Sequence, residues 1–326
     1  MINPSTATVF AKAPHATAEQ VDAAIMGSAK AFPGWASLSL DARKKCMAEA
    51  AEKMEAHKDE LIDLLVREQG KPVAAATGEL FICIECLKKM QTLEYPVSDK
   101  TVDYAPASAD HTVTIVRRPI GVVAGITPWN FPMFCSVQKW APAITLGNTF
   151  VLKPSPFTPL TALRYGAILQ TCFPPGVLNI VSGDDKAAFN VGQHITGHPA
   201  IRKVSFTGSV ATGKRIMAAC AHDVKRVTLE MGGNDPAIVR ADCDPATVAP
   251  KVFGGAFGNT GQICCAIKRV FVHESIHDEF VSEMAKCAKE ARLPVAAAPR
   301  RTPPHAATRR RSPPSACRLV AARPCS

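Results

Sequence analysis

Residues 120–132 read Ile-Gly-Val-Val-Ala-Gly-Ile-Thr-Pro-Trp-Asn-Phe-Pro. A short apolar run, Ile120 to Ile126, is bounded by Pro119 and Pro128. A strand with this continuous pattern belongs in a sheet buried on both faces. Similar runs return at Thr149–Lys153, Val177–Val181, Val204–Thr207 and Val227–Leu229. Helical stretches separate them, around 133–146, 158–171, 185–195 and 213–221. This alternation predicts an α/β fold whose parallel sheet is covered by helices.

Upstream, residues 17–32 predict an amphipathic helix. Thr17 and Gln20 form a capping box, Val21, Ile25, Ala29 and Phe32 share a face, and Pro33-Gly34 is expected to end it. A longer helical region is expected over 41–69, and a third helix over 73–91. Thr112–Val116 alternates like a half-exposed strand. Beyond Gly232, Pro236–Val239 and Phe271–Val272 read as strand, and 245–258 and 275–291 as helix. The periodicity stops near Arg292.

The net charge of +10 suggests a polyanion partner, but its distribution argues otherwise. Residues 293–326 hold seven Arg, no Lys and no acid; taking those seven from +10 leaves +3 for residues 1–292. No nucleic-acid function is expected from that balance. No uninterrupted apolar stretch of about 18 residues is present, so no membrane span is expected. The start has no basic segment followed by an apolar run, which argues against a secretory signal. The 12 cysteines are scattered without a disulfide spacing and read as reduced thiols of an intracellular, cytoplasmic protein.

Five segments carry chemistry. Gly258-Asn259-Thr260-Gly261-Gln262-Ile263-Cys264-Cys265 would present a thiol after a glycine-bracketed turn; a structural cysteine pair is the plainer reading. Thr228-Leu229-Glu230-Met231-Gly232-Gly233 places a carboxylate at a strand end, where parallel sheets collect active-site residues, or simply in a solvated loop. Thr127-Pro128-Trp129-Asn130-Phe131-Pro132 holds an amide rigidly enough to face a developing oxyanion, or forms a turn. Phe206-Thr207-Gly208-Ser209-Val210-Ala211-Thr212-Gly213-Lys214 runs from strand through a turn into a helix, whose start could hold a pyrophosphate. Val151-Leu152-Lys153-Pro154-Ser155-Pro156 ends a strand with a lysine able to reach a ribose or phosphate, or lying on the surface. Cys83-Ile84-Glu85-Cys86 lacks a second pair and reads as core packing. His194 and His198 are separated by Gly197, so no metal site is expected.

Together and in this order, the five segments resemble the aldehyde dehydrogenase superfamily over about residues 3–292. The resemblance implies a Rossmann-like parallel-sheet cofactor domain and an incomplete α/β catalytic domain. The cofactor domain would comprise 1–97 and 119–231, the bridging and oligomerisation strands 98–118, and the partial catalytic domain 232–292. It implies that Cys264 is the nucleophile, that Asn130 stabilises the oxyanion and that Glu230 activates water. Cys265 is expected to face away or line the pocket. Lys153, Ser155, Gly208, Ser209, Gly213, Thr127 and Trp129 would contact NAD. Pro156 stands where many NAD-preferring relatives carry an acid, so NADP is also expected to be accepted. The substrate would be a small aldehyde, oxidised to a carboxylic acid.

The chain departs from the pattern after the cysteine segment. A Glu-x-Phe-Gly-Pro motif and the closing strands that pair subunits are missing, so the family's homo-oligomer is not expected to assemble. Residues 293–326, almost entirely Ala, Pro, Arg, Ser, Thr, Cys and His, read as a disordered basic tail or as translation out of frame. The alternative to an active enzyme is an inactive, truncated remnant that retains only dinucleotide binding.

Overall fold

The computed structural model describes residues 1–94, 100–102, 113–184, 188–291 and 318–322. Strands β1 (Ile2–Asn3) and β2 (Thr8–Val9) form a small antiparallel pair. Helices α1 (Ala18–Ser37), α2 (Leu40–Ala56), α3 (Lys58–Gln69) and α4 (Val73–Gln91) follow. Strands β3 (Lys100–Val102) and β4 (Val113–Ile115) pair antiparallel. The chain then alternates through β5 (Val122–Ile126), α5 (Pro132–Thr145), β6 (Thr149–Lys153), α6 (Leu160–Leu169), β7 (Leu178–Ile180), α7 (Val191–Gly197), β8 (Ile201–Thr207), α8 (Val210–Ala221) and β9 (Arg226–Glu230). Last come β10 (Asp235–Val239), α9 (Pro245–Phe257), β11 (Ile267–His273), α10 (His277–Glu290) and β12 (Arg318–Ala322).

The five-stranded sheet has the order β7-β6-β5-β8-β9, and every neighbouring pair is parallel. From β5 the chain winds outward through β6 and β7, then returns to β8 and β9 on the other side. The order therefore reverses between β5 and β8, which opens a crevice at the carboxyl ends of those strands. Successive residues of β5 point to opposite faces. Val123 joins one core with Trp140, Phe150 and Leu152, while Val122, Ala124 and Ile126 join the other with Val151 and Val204. Both faces are dry, which is why the β5 run is apolar without alternation.

The capping box at Thr17 and Gln20 is present, but α1 continues through Pro33 to Ser37, past the expected stop. Trp35 explains the extension. It is 2% exposed, and its indole N–H donates to the Ile144 carbonyl at 2.8 Å. Proline sacrifices one helical hydrogen bond, and burial of a whole tryptophan outweighs that loss. The helical region expected over 41–69 consists of two helices that meet at His57 (φ −110°, ψ 20°). Helix α4 covers the residues expected. Cys83 is buried in the core and Cys86 packs against it.

A three-stranded parallel sheet, β10-β11-β12, is covered on one face by α9 and α10, with Val239, Val270, Val272 and Phe280 at its core. Its third strand corrects the expectation of a structureless tail at 318–322. Arg318–Ala322 pairs in parallel register with Arg269–His273. Without it, β11 would present a row of unpaired backbone groups, and such an edge recruits any segment able to lie extended.

Two buried carboxylates, Glu68 and Glu79, cap helices. Glu68 (3% exposed) accepts from the backbone N–H groups of Leu160 (2.8 Å) and Thr161 (2.9 Å), in the first turn of α6. Burial pushes its carboxyl up to about 7, against the hydrogen bonds from Thr161 and Leu160. The folded protein therefore binds this proton more tightly than the unfolded chain. The stabilisation is complete below the unfolded value near 4.5 and fades as pH rises through about 7. Glu68→Gln removes the titration, so its stability relative to the parent should improve between pH 5 and pH 8 by up to about 3 kcal/mol. Urea unfolding of both proteins at those two pH values checks this; a difference constant with pH would refute it.

Candidate active site

Every sequence-expected residue except Cys264 lies at the carboxyl end of a strand of the parallel sheet or in the turn or helix start that follows it. Ile126 at the end of β5 is in register with Lys153 of β6 and Phe206 of β8, and Thr207 of β8 with Glu230 of β9. The Thr127–Asn130 turn, Lys153-Pro154-Ser155, Gly208-Ser209 and Glu230 thus leave the sheet side by side. The Gly208 N–H donates to the Glu230 carbonyl at 3.1 Å, joining two of these turns.

Cys264 reaches this edge from the segment between α9 and β11. The Asn130 side-chain amide donates to the Gln262 carbonyl at 2.8 Å, two residues before the cysteine. From the β9 side, the Gly233 N–H donates to the Cys264 carbonyl at 3.0 Å. A Cβ at position 233 would sit 3.0 Å from that same carbonyl oxygen, tighter than side chains usually pack, so glycine suits the close approach. The elements bearing Asn130 and Glu230 are therefore both bonded to the cysteine segment.

Cys264 is exposed and Glu230 is exposed. Cys265, next in the chain, is exposed as well. Burial, then the charge and hydrogen bond of Cys264, push the Cys265 thiol up. Burial pushes Cys135, one turn into α5, up to about 12. These two thiols are poorly suited to ionise.

Two lysines escaped the reading of the sequence. Lys268 donates to three carbonyls of the cysteine segment, those of Ile263 (3.1 Å), Cys264 (3.1 Å) and Ala266 (3.2 Å). Lys139 on α5 is 7% exposed. Burial holds its ammonium below the usual lysine range, against the pull of Cys135 and Glu230. A lysine nine residues after Asn130, on a helix that is mostly apolar, was the available signal for Lys139. Nothing local marked Lys268, because its partners are defined only once the loop folds back.

The crevice presents polar groups that a dinucleotide would satisfy. The hydroxyls of Thr127 and Thr207, at the ends of β5 and β8, are buried without a hydrogen-bond partner. Such groups are costly unless something satisfies them. Ser209 caps α8, its hydroxyl accepting from the Thr212 N–H at 3.2 Å, and this helix starts just beyond the carboxyl end of β8, where helix starts favour anions. Gly213 is buried in that first turn, with its N–H on the Ser209 carbonyl at 2.9 Å. Lys153 is 2% exposed, with its ammonium 3.3 Å from the Pro154 carbonyl. Gly192 on α7 packs beside the Lys153 stem; a Cβ there would lie 3.5 Å from it, in ordinary contact. Ser155 is buried and accepts from the Phe157 N–H, while Trp129 is 38% exposed at the crevice mouth. These residues fit a ribose and pyrophosphate.

His194 and His198 both face Asp22, at 2.6 and 3.5 Å. Among the described residues, no group of three or more His, Cys, Asp or Glu is placed to hold a metal ion.

A doubly wound sheet whose carboxyl edge carries Asn130 and Glu230, with the Cys264 segment hydrogen-bonded beside it, defines a nucleotide-type α/β fold with an exposed cysteine at that edge. The family model described as "Aldehyde dehydrogenase family" matches residues 1–303, and the chain belongs to that family. It is 39% identical to the chloroplastic betaine aldehyde dehydrogenase of Atriplex hortensis over 306 residues, 90% of this chain and 60% of that one. The solved succinate-semialdehyde dehydrogenase of Burkholderia pseudomallei superposes with a TM-score of 0.85 at 34% identity, covering 90% of this chain and 60% of that one. Aldehyde dehydrogenase C of Pseudomonas syringae, solved as a mutant with NAD+ and octanal, superposes with a TM-score of 0.81 at 33% identity, covering 89% and 58%. The chain spans about 60% of the length of the curated relatives it matches. No helix among the described residues is long and apolar enough to cross a membrane.

Proposed function

We propose that this chain supplies the cofactor-binding and nucleophile portions of an NAD(P)-dependent aldehyde dehydrogenase. The observation that carries the reading is the pair of bonds on the cysteine segment, Asn130 to Gln262 and Gly233 to Cys264. They join the exposed thiol to the elements carrying the amide and the carboxylate. Residues 1–97 and 119–231 form the cofactor domain, 98–118 the bridging strands, and 232–292 a partial catalytic domain.

In this reading the Cys264 thiolate attacks the aldehyde carbon and forms a thiohemiacetal. The Asn130 amide and the Cys264 backbone N–H donate to the oxyanion, where fixed donors act strongly because they need no reorganisation. The cofactor, when bound, supplies a nicotinamide that accepts hydride. Cys264 then holds the acyl group as a thioester. Glu230 takes a proton from water, which attacks the thioester and releases the carboxylic acid and the thiol. Lys153, Ser155 and Ser209 would hold the adenosine ribose and pyrophosphate, and Thr127 and Trp129 the nicotinamide side. Pro156 places no carboxylate beside the ribose, so a 2′-phosphate meets no like charge there. NAD is the expected cofactor, with NADP accommodated. The ten described cysteines are all free, which supports a reducing, cytoplasmic setting.

The test is reduction of NAD+ or NADP+ by the purified chain with a small aldehyde, read as absorbance of the reduced nicotinamide. No turnover by a folded, dinucleotide-binding sample would overturn the reading. Asn130→Ala should lower kcat by about 10²–10³-fold while leaving dinucleotide affinity intact. A second reading, a chain that binds dinucleotide without turnover, is favoured by the open face of the β10–β11 sheet. There Ile238 is 76% exposed and, with Phe271, lines a cavity of about 400 Å³. Calorimetric binding without turnover would select it.

A further inference from the structure

Lys71, just ahead of α4, and Glu79, within it, form a buried pair whose side chains are 1% and 0% exposed. Such a pair adds little stability over apolar residues of similar volume, because desolvation cancels much of the attraction. Its contacts say more than its energy. The Lys71 ammonium donates to Glu79 and to the backbone carbonyl of Asn130 at 2.9 Å. It also lies 4.0 Å from the centre of the Phe131 ring. Its three donor directions are thus met by a carboxylate, a carbonyl and a ring face. The other Glu79 oxygen accepts from the N–H groups of Met133 (2.9 Å) and Phe134 (3.0 Å). The backbone is pinned on both sides of Phe131.

A weaker strap runs beside it. Gln69 donates to the Asn259 side chain at 3.4 Å, and Asn259 donates to the Asn130 carbonyl at 3.4 Å. Asn259 and Thr260 have φ of 49° and 55°, a left-handed conformation that non-glycine residues keep only where surroundings impose it. These two residues begin the turn that leads to Cys264.

We propose that Lys71, acting with Glu79, is a positioning residue for the oxyanion site. It fixes the Asn130 backbone so that the amide and the cysteine loop it holds keep one geometry. The proposal rests on the roles given above to Asn130 and Cys264.

Two measurements test it on the full chain. In deuterium exchange, Lys71→Met should speed uptake about tenfold in peptides covering 130–134 and 258–264, leaving β8 and α8 unchanged. Unchanged uptake in the first two segments, or faster uptake everywhere, would overturn the proposal. In turnover, Lys71→Met should lower kcat about 10–100-fold with the KM for dinucleotide unchanged, and Lys71→Arg should recover part of the loss. In an Asn130→Ala background, Lys71→Met should cost nothing more; independent, multiplying losses would show that Lys71 does not act through Asn130. If Lys71→Met fails to fold, Glu79→Gln, which keeps an acceptor for α5, takes its place in both experiments. If the parent binds dinucleotide but turns over no aldehyde, the functional reading falls, and exchange alone decides the positioning claim.

Discussion

Cys264→Ser is expected to abolish aldehyde-dependent NAD(P)+ reduction, by about 10⁴-fold or more, with dinucleotide affinity unchanged. A serine hydroxyl is far less acidic than a thiol and a much weaker nucleophile than a thiolate, and loss of a covalent nucleophile is among the largest single-residue effects known in enzymes. The exposed position of Cys264 lets a substrate carbon approach, and no strand or helix depends on its side chain. The fold should therefore survive. Cys265→Ser is the control, because its thiol is pushed up by burial and by its neighbour. Steady-state rates with calorimetric dinucleotide affinities decide the matter. Retained activity in Cys264→Ser, with loss in Cys265→Ser, would transfer the nucleophile to the neighbouring residue.

The second large effect is expected at Glu230. Glu230→Gln should lower kcat by about 10²–10⁴-fold, the range for removal of a general base. The change keeps the side chain's shape, and the backbone bonds around it, including Gly208 to the Glu230 carbonyl, do not involve the carboxylate. Thiohemiacetal formation and hydride transfer should proceed through one turnover, after which the acyl group stays on Cys264. The signature is a stoichiometric burst of reduced nicotinamide followed by a slow phase, with the acyl adduct visible by intact-protein mass spectrometry. A slow rate with no burst would place Glu230 ahead of the thioester, as the base that deprotonates Cys264. Full activity would remove it from the mechanism.

These expectations draw unequally on sequence and structure. The strands β5 and β6 were legible because a strand buried on both faces is apolar almost throughout, while β8 and β9 showed only shorter apolar cores within mixed segments. The catalytic candidates were legible because each lies beside a local signal: Asn130 between prolines, Glu230 before two glycines, Cys264 after a glycine-bracketed turn. Two boundaries were misread for the same reason. Pro33 predicts a helix end locally, but Trp35 is drawn two residues further by a partner on α5, 109 positions away in the chain. The tail strand at 318–322 was hidden because its composition carries no period and its partner edge, β11, exists only in the folded sheet.

By itself, then, the sequence determined the class of fold, which follows from apolar patterns within a few residues, and singled out the thiol, amide and carboxylate as candidates through five segments taken in their order. The tertiary structure alone decided what holds them. Lys71 meets Asn130 across 59 positions, Asn130 meets Gln262 across 132, and Lys139 acquires its electrostatic environment only when α5 is packed. The physical reason is that burial and hydrogen-bond partnership are properties of the folded chain: a lysine in an extended segment reads as solvated surface, and only the closing of the core around it leaves its charge to act on a particular carbonyl.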